Sequence, residues 1–343
     1  MAISGDHSSS SVPKTKHPDS GALVISLDFE LHWGVRDRYP PDGRYQQNLL
    51  GVRKAVPQML DLFEEFDIAA TWATVGFLFA ASRQELESFY PAVRPEYEDP
   101  VLSPYQEPVG DGEQDDPFHF APSLIEAICK RPRQEIGTHT FSHYYCLERG
   151  QTRAAFRADL ESAVAIARKY GFQLRSIVFP RNQFNADYAD LLVETGILCY
   201  RGNEKSWMYK ASATNEQRSS KRGARFLDRY LSLSGLNLKC WDDVLEKNGL
   251  CNVASSRFLA PYSPRLRHFD SLRLDRIIKG IQAAAICRRI FHLVWHPHNF
   301  GSHPDENIAF LRQILEAFAR LGESHGMRSL TMADVAEIAK ERD

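Results

Sequence analysis

The stretch "SLDFELHWG" (26–34) ends an apolar run with two acids separated by one residue. Side chains on a strand repeat every second residue, so Asp28 and Glu30 point the same way. Two carboxylates set together repel unless a cation lies between them or one is protonated. Further on, "QEIGTHTFSH" (134–143) holds His139 and His143 four residues apart. They share a face if the chain turns into a helix there. Glu30 with these histidines makes a two-imidazole, one-carboxylate set, which suits Zn2+ or a similar divalent ion and leaves a position for water. No Glu follows His139, so the H-E-x-x-H pattern with its built-in base does not apply. Asp28 is then the nearest candidate base. The competing reading is that the acids cap a strand end and the imidazoles hydrogen-bond loop backbone.

Two more apolar runs end in polar groups. In "FPRNQF" (179–184), Arg181 can orient a carboxylate or, with Asn182, hold an anionic group; the alternative is a surface ion pair. In "LVWHPHNFG" (293–301), Pro297 separates His296 from His298, and one of these can give a proton to a leaving group. Trp33, Trp207 and Tyr262 are candidate platforms for a sugar ring, although core packing explains such residues equally well. The basic stretch "RSSKRGAR" (218–225) is either a grip for the diphosphate of a nucleotide- or lipid-linked sugar or a solvated loop.

The elements that carry these residues alternate. "ALVISLDF" (22–29) is continuously apolar and reads as a buried strand. Helical spacing follows over 52–66, with Pro57 expected in the first turns. Strands are expected at 68–80, 134–141, 174–182, 197–202 and 290–296, and helices at 121–130, 152–171, 185–196, 270–289, 304–321 and 332–341. Such alternation predicts a parallel sheet flanked by helices. No G-x-G-x-x-G turn follows the first strand, so closure into a barrel is favoured over a dinucleotide fold. Strand ends of a barrel meet at one mouth.

The 343 residues carry a net charge of −2, with 43% hydrophobic and 25% charged residues. That balance argues against a nucleic-acid groove. No run approaches the roughly 18 apolar residues of a membrane span, so stable membrane insertion is not expected. Residues 1–20 read as a disordered tail without a signal peptide's apolar stretch, and a cytoplasmic location follows as an expectation. Six scattered cysteines read as reduced thiols, mostly buried. Residues 21–343 are expected to form one domain, with loop insertions near 90–120 and 203–225 that act as lids or are simply solvated.

In their order, "SLDFELHWG", "ATWATVG", "EIGTHTFSH", "FPRNQF" and "LVWHPHNFG" resemble the polysaccharide deacetylase family, also called the NodB-homology domain or carbohydrate esterase family 4. The resemblance runs from about residue 21 to 340. It implies a distorted (β/α) barrel with about seven parallel strands, and a metal-dependent hydrolase of carbon–nitrogen bonds. By position it implies Asp28 as general base, Glu30, His139 and His143 as metal ligands, Arg181 as the residue orienting the base, and His296 as general acid. Trp33, Asn182, His298 and Tyr262 are candidate substrate contacts. The implied cofactor is a divalent ion, Zn2+ first and Co2+, Ni2+ or Fe2+ as alternatives. The implied substrate is a small molecule or oligosaccharide with an N-acetylated or N-formylated amino sugar, from surface or exopolysaccharide metabolism. The common family form has adjacent aspartates, whereas here Phe29 separates Asp28 from Glu30, a D-x-E variant. In "FPRNQF" the Arg follows the Pro instead of preceding it. A rival from another class is an inactive barrel that binds carbohydrate or a partner. A second is a two-histidine, one-carboxylate iron oxygenase, which the strand–helix alternation disfavours.

Overall fold

A computed structural model describes residues 20–204, 206–211, 213 and 219–341. The expected N-terminal tail, apart from Ser20, lies outside the described residues. In chain order the elements are β1 (Ala22–Phe29), α1 (Gln46–Glu65), β2 (Ala70–Thr74), α2 (Arg83–Ser88), α3 (Pro122–Cys129), β3 (Gln134–Thr138), α4 (Arg153–Lys169), β4 (Ser176–Ile177) and α5 (Ala189–Glu194). They continue with β5 (Cys199–Tyr200), α6 (Ser219–Asp228), β6 (Cys251–Asn252), β7 (Arg257–Phe258), α7 (Asp270–Cys287), β8 (Ile290–Trp295), α8 (Pro304–His325), β9 (Arg328–Leu330) and α9 (Met332–Lys340).

All paired strands run parallel, in the order β6-β5-β4-β3-β2-β1-β8-β7, and β9 pairs with the start of β1. No pairing joins β6 to β7 among the described residues. Residues 253–256 bridge that gap instead: Val253 N donates to Tyr200 O at 2.9 Å, and Ser256 N to His292 O at 2.9 Å. The expected distorted barrel is thus a curled half-barrel, with nine strands instead of about seven. The uncounted ones are two or three residues long, too short for a period to register.

Alternation along β1 sorts the interior. Leu23, Ile25, Leu27 and Phe29 enter the large core beneath the outer helices, while Ala22 and Val24 join a second cluster with Met332 and Val335 of α9. The same face continues through Ser26 to Asp28, so it begins apolar against α9 and ends polar at the C-terminal edge of the sheet. β8 repeats the pattern: Phe291, Leu293 and Trp295 pack outward, and Ile290 packs inward below His292.

Helix α1 starts six residues before the expected helix, so Pro57 lies in its interior and not in its first turns. The side chain is exposed there. Gly51 of α1 and Gly301 meet backbone to backbone; a Cβ on Gly51 would lie 2.0 Å from Gly301 O, and one on Gly301 would lie 2.1 Å from Asn48 O. Only glycine permits this approach. Segment 90–120 is irregular apart from short 3-10 turns, as expected of an insertion. The second insertion departs from a loop, because α6 covers 219–228; much of the rest of it, with Arg218 of the basic stretch, lies outside the described residues. Cys146, Cys199 and Cys251 are buried, whereas Cys129 and Cys287 are exposed. No helix among the described residues is long and apolar enough to cross a membrane.

Candidate metal and catalytic centre

Glu30 follows the last residue of β1, and His139 follows the last residue of β3, two strands away. Their side chains meet over the C-terminal edge of the sheet. Glu30 Oε2 lies 3.1 Å from His139 Nε2 and 3.0 Å from His143 Nε2. All three residues are at least 96% buried, with relative exposures of 4%, 1% and 2%.

The conditional expectation of a helix at 139–143 is not met. Thr140 and His143 adopt left-handed φ of +65° and +58°, and a network of side chains holds the turn. Asp159 of α4 accepts from Phe141 N at 2.8 Å, from Ser142 N at 3.1 Å and from the Ser142 hydroxyl. Thr140 Oγ1 accepts from Tyr144 N at 2.7 Å. The two imidazoles converge because the turn is fixed from behind.

Asp28, on the strand's inner face, is gripped from across the half-barrel by Arg201, the residue after β5. Nη1 meets Oδ1 at 2.5 Å and Nη2 meets Oδ2 at 2.8 Å. Arg201 also donates to Ser26 Oγ at 3.1 Å and to Asn182 Oδ1 at 3.2 Å. Burial alone would raise the pKa of Asp28, but Arg201 and then His296 outweigh it and hold the carboxyl below its usual range. The Glu30 carboxyl, likewise opposed by burial, is held well below its range by His296, His139 and His143. His296 Nε2 sits 3.6 Å from Asp28 Oδ2 and 3.4 Å from Glu30 Oε1. Burial pushes His143 down to about 4, opposed by Glu30, so its ring is neutral near pH 7.

Asp28, Glu30, His139, His143 and His296 line one cleft of about 340 Å³, within the size range of small-molecule sites, together with Tyr39, Tyr45, Arg181, Asn182, Phe258 and His298. His298 is buried, and its Nδ1 is without a hydrogen-bond partner. Four sequence expectations need correction. Arg181 is not the partner of Asp28: its guanidinium meets Asp37 at 2.5 Å and lies 4.4 Å over the Tyr145 ring, because Asn182 and Arg181 both take left-handed φ that turns the chain there. Trp33 is no sugar platform, being fully buried against Phe77 with Nε1 donating to His119 O at 3.0 Å. Tyr262 does not line the cleft and packs on His303, with ring centroids 5.4 Å apart. Trp207, 61% exposed, also lies outside its lining.

The donor set fits a divalent cation. Glu30, His139 and His143 offer one carboxylate oxygen and two imidazole nitrogens within 4.8 Å of one another. Ligands held at about 2.0–2.2 Å on one ion stand roughly 3 Å apart, close to the 3.1 and 3.0 Å that separate Glu30 Oε2 from the two imidazole nitrogens. Of the two buried carboxylates, Asp28 is paired with the Arg201 guanidinium, whereas Glu30 faces only imidazoles among its printed partners. His143 Nδ1 meets the Tyr145 hydroxyl at 3.1 Å, the outer support that a ligating imidazole needs to keep its orientation.

Fold and site together define a parallel half-barrel protein with a two-histidine, one-carboxylate centre at its strand ends. Residues 42–200, a little under half of the chain, match the family model for polysaccharide deacetylase. The matched segment contains both histidines but neither β1 nor β8. A solved structure of a polysaccharide deacetylase-like protein from Mycobacterium smegmatis aligns at 13% identity and TM-score 0.60, covering 95% of this chain and 92% of that one. The 4-alpha-glucanotransferase of Thermococcus litoralis aligns at 12% identity and TM-score 0.50, covering 93% and 40%. A CE4 family pseudoenzyme from Bacillus anthracis aligns at 10% identity, 93% and 66% coverage and TM-score 0.43, too low to bear on this chain. At these identities the first two likenesses show the fold alone. No curated protein matches the sequence.

Proposed function

We propose that this protein is a metal-dependent amide hydrolase that removes an N-acyl group, acetyl or formyl, from an amino sugar or a sugar-containing precursor. The observation that carries the reading is the convergence of His139 Nε2 and His143 Nε2 on one oxygen of Glu30, with Asp28 and His296 in the same cleft. Glu30, His139 and His143 would hold the ion, Zn2+ by donor type. When bound, such an ion supplies Lewis acidity that polarises an acyl oxygen and makes water acidic near neutral pH.

The remaining work falls to the chain. Asp28 stays ionised beside Arg201 and so can accept the proton of an attacking water. A carboxylate with a depressed pKa is a weak base, so this transfer succeeds only with acidified water, in keeping with the adjacent ligand set. Arg201 acts as the positioning residue, fixing both oxygens of Asp28. His296, about a quarter exposed at the cleft wall, is placed to give a proton to the departing amine. Tyr39 and Tyr45, stacked on each other with centroids 5.0 Å apart and with the Arg44 guanidinium 4.8 Å from the Tyr39 ring, line the cleft and present ring edges that can meet a sugar, a role Trp33 and Tyr262 do not fill.

The test is release of acetate or formate from N-acylated glucosamine oligosaccharides and sugar precursors by metal-loaded protein. Turnover lost in His296→Ala and Asp28→Asn supports the reading. Sugar binding without turnover on any of these amides, in protein with one ion per cleft, would show an inactive binding barrel instead.

A further inference from the structure

A second group of donors meets away from the cleft, where the 3-10 turn Leu31–Gly34 touches the insertion. His32 and His119 are buried, and His32 Nδ1 lies 2.8 Å from His119 Nε2. The outer nitrogen of each ring has a partner that can only accept. His32 Nε2 is 2.8 Å from the Tyr39 carbonyl, and His119 Nδ1 is 2.7 Å from Asp116 Oδ2. Both outer nitrogens therefore carry hydrogen, and in neutral rings both inner nitrogens present bare lone pairs to each other. Such a pair holds together only around positive charge. Glu107 adds a carboxylate beside it, with Oε1 3.8 Å from His32 Nδ1 and 4.0 Å from His119 Nε2, while its other oxygen faces Arg36 at 3.9 Å.

Ligating imidazoles are held in this manner, with the inner nitrogen toward the ion and the outer N–H given to a carbonyl or carboxylate. We propose that His32, His119 and Glu107 bind a second divalent cation of the Zn2+ class, distinct from the one assigned to Glu30, His139 and His143. The three ligand atoms lie within 4.8 Å of one another. The position gives the ion a structural purpose. It ties the residues just after Glu30 to the 90–120 insertion, where Trp33 Nε1 already bonds His119 O and His32 N bonds Phe118 O at 3.3 Å. His32 in turn fixes Tyr39, on the cleft rim.

Elemental analysis of the purified full-length chain, with Co2+ titration followed by visible absorbance, decides it. Wild type is expected to bind two equivalents, and His119→Gln and His139→Gln one each. Glu107→Gln, a change at a partly exposed side chain, should weaken one site by about 10- to 100-fold. This variant carries the test if His119→Gln fails to fold. Equal stoichiometry and affinity in wild type, His119→Gln and Glu107→Gln would overturn the proposal and leave a proton shared between the two rings. One equivalent in wild type, lost in His119→Gln and kept in His139→Gln, would sustain it while refuting the function proposed for the cleft.

Discussion

Arg201 and Asp28 form a bidentate pair buried in the curl of the sheet, with N–O distances of 2.5 and 2.8 Å. Behind it runs a chain of hydrogen bonds: Arg201 donates to Ser26 Oγ, whose hydroxyl lies 2.9 Å from His292 Nε2. The candidate base is therefore oriented from the core and not from the cleft rim.

Loss of one partner of such a pair strands a buried charge. Arg201→Met is expected to cost about 3–5 kcal/mol of stability, measured by denaturant unfolding. Arg201→Lys keeps the charge but loses the planar fork, so kcat should fall about 10- to 100-fold with KM moved much less. Arg181→Lys should leave kcat nearer wild type. Equal losses from the two lysine variants would place the orienting role elsewhere.

Metal and turnover should separate on mutation. His139→Ala or His143→Ala is expected to lose the cleft's ion along with activity. Asp28→Asn should keep that ion and lose about 10²- to 10⁴-fold in rate, the usual worth of a positioned proton acceptor. Elemental analysis beside a turnover assay reads both.

Acid should destabilise the fold through His292. Burial, then Arg201, pushes its pKa down from 6.5 to about 3, while Nδ1 bonds Val253 O at 2.9 Å. A histidine with a depressed folded pKa binds fewer protons folded than unfolded between those values. Its contribution is thus fully present above pH 6.5 and lost as pH falls toward 3. Tm should drop over that window in wild type, and His292→Gln should show a shallower slope. Parallel profiles would assign the acid sensitivity to other groups.

Substrate contacts should follow the rim aromatics and not the buried tryptophan. Tyr39→Ala is expected to raise KM for an amino-sugar substrate. Trp33→Phe, which removes the indole N–H from His119 O, should lower Tm with KM unchanged. Michaelis kinetics and thermal unfolding on the same preparations check this.

Much of the centre was legible in the sequence because its signals are local. Asp28 and Glu30 end a continuous apolar run, and His139 and His143 lie four residues apart after another. Arg201 carried the same kind of signal, an arginine ending "ILCYRG", but "FPRNQF" competed for the role, and only the curl of the sheet decides which guanidinium crosses to β1. The pairing of His32 with His119 spans 87 residues, which no periodicity reaches. Strands β4 to β7 have two residues apiece, so their alternation had nothing to repeat. The tryptophans and tyrosines were ambiguous for another reason: an aromatic side chain serves a core and a sugar equally well, and only burial separates the two.

The glycine-on-glycine contact between α1 and the turn after β8 joins segments that leave the ribosome far apart in time. Asn48 and Gly51, near the beginning of the chain, bear directly on Gly301, some 250 residues later. A ribosome therefore releases Asp28 and Glu30 long before His296, the histidine that stands beside them at the end of β8. A nascent chain stopped before residue 290 would expose the unpaired flank of β1 and the uncovered side of α1, a surface for chaperones to hold until synthesis ends.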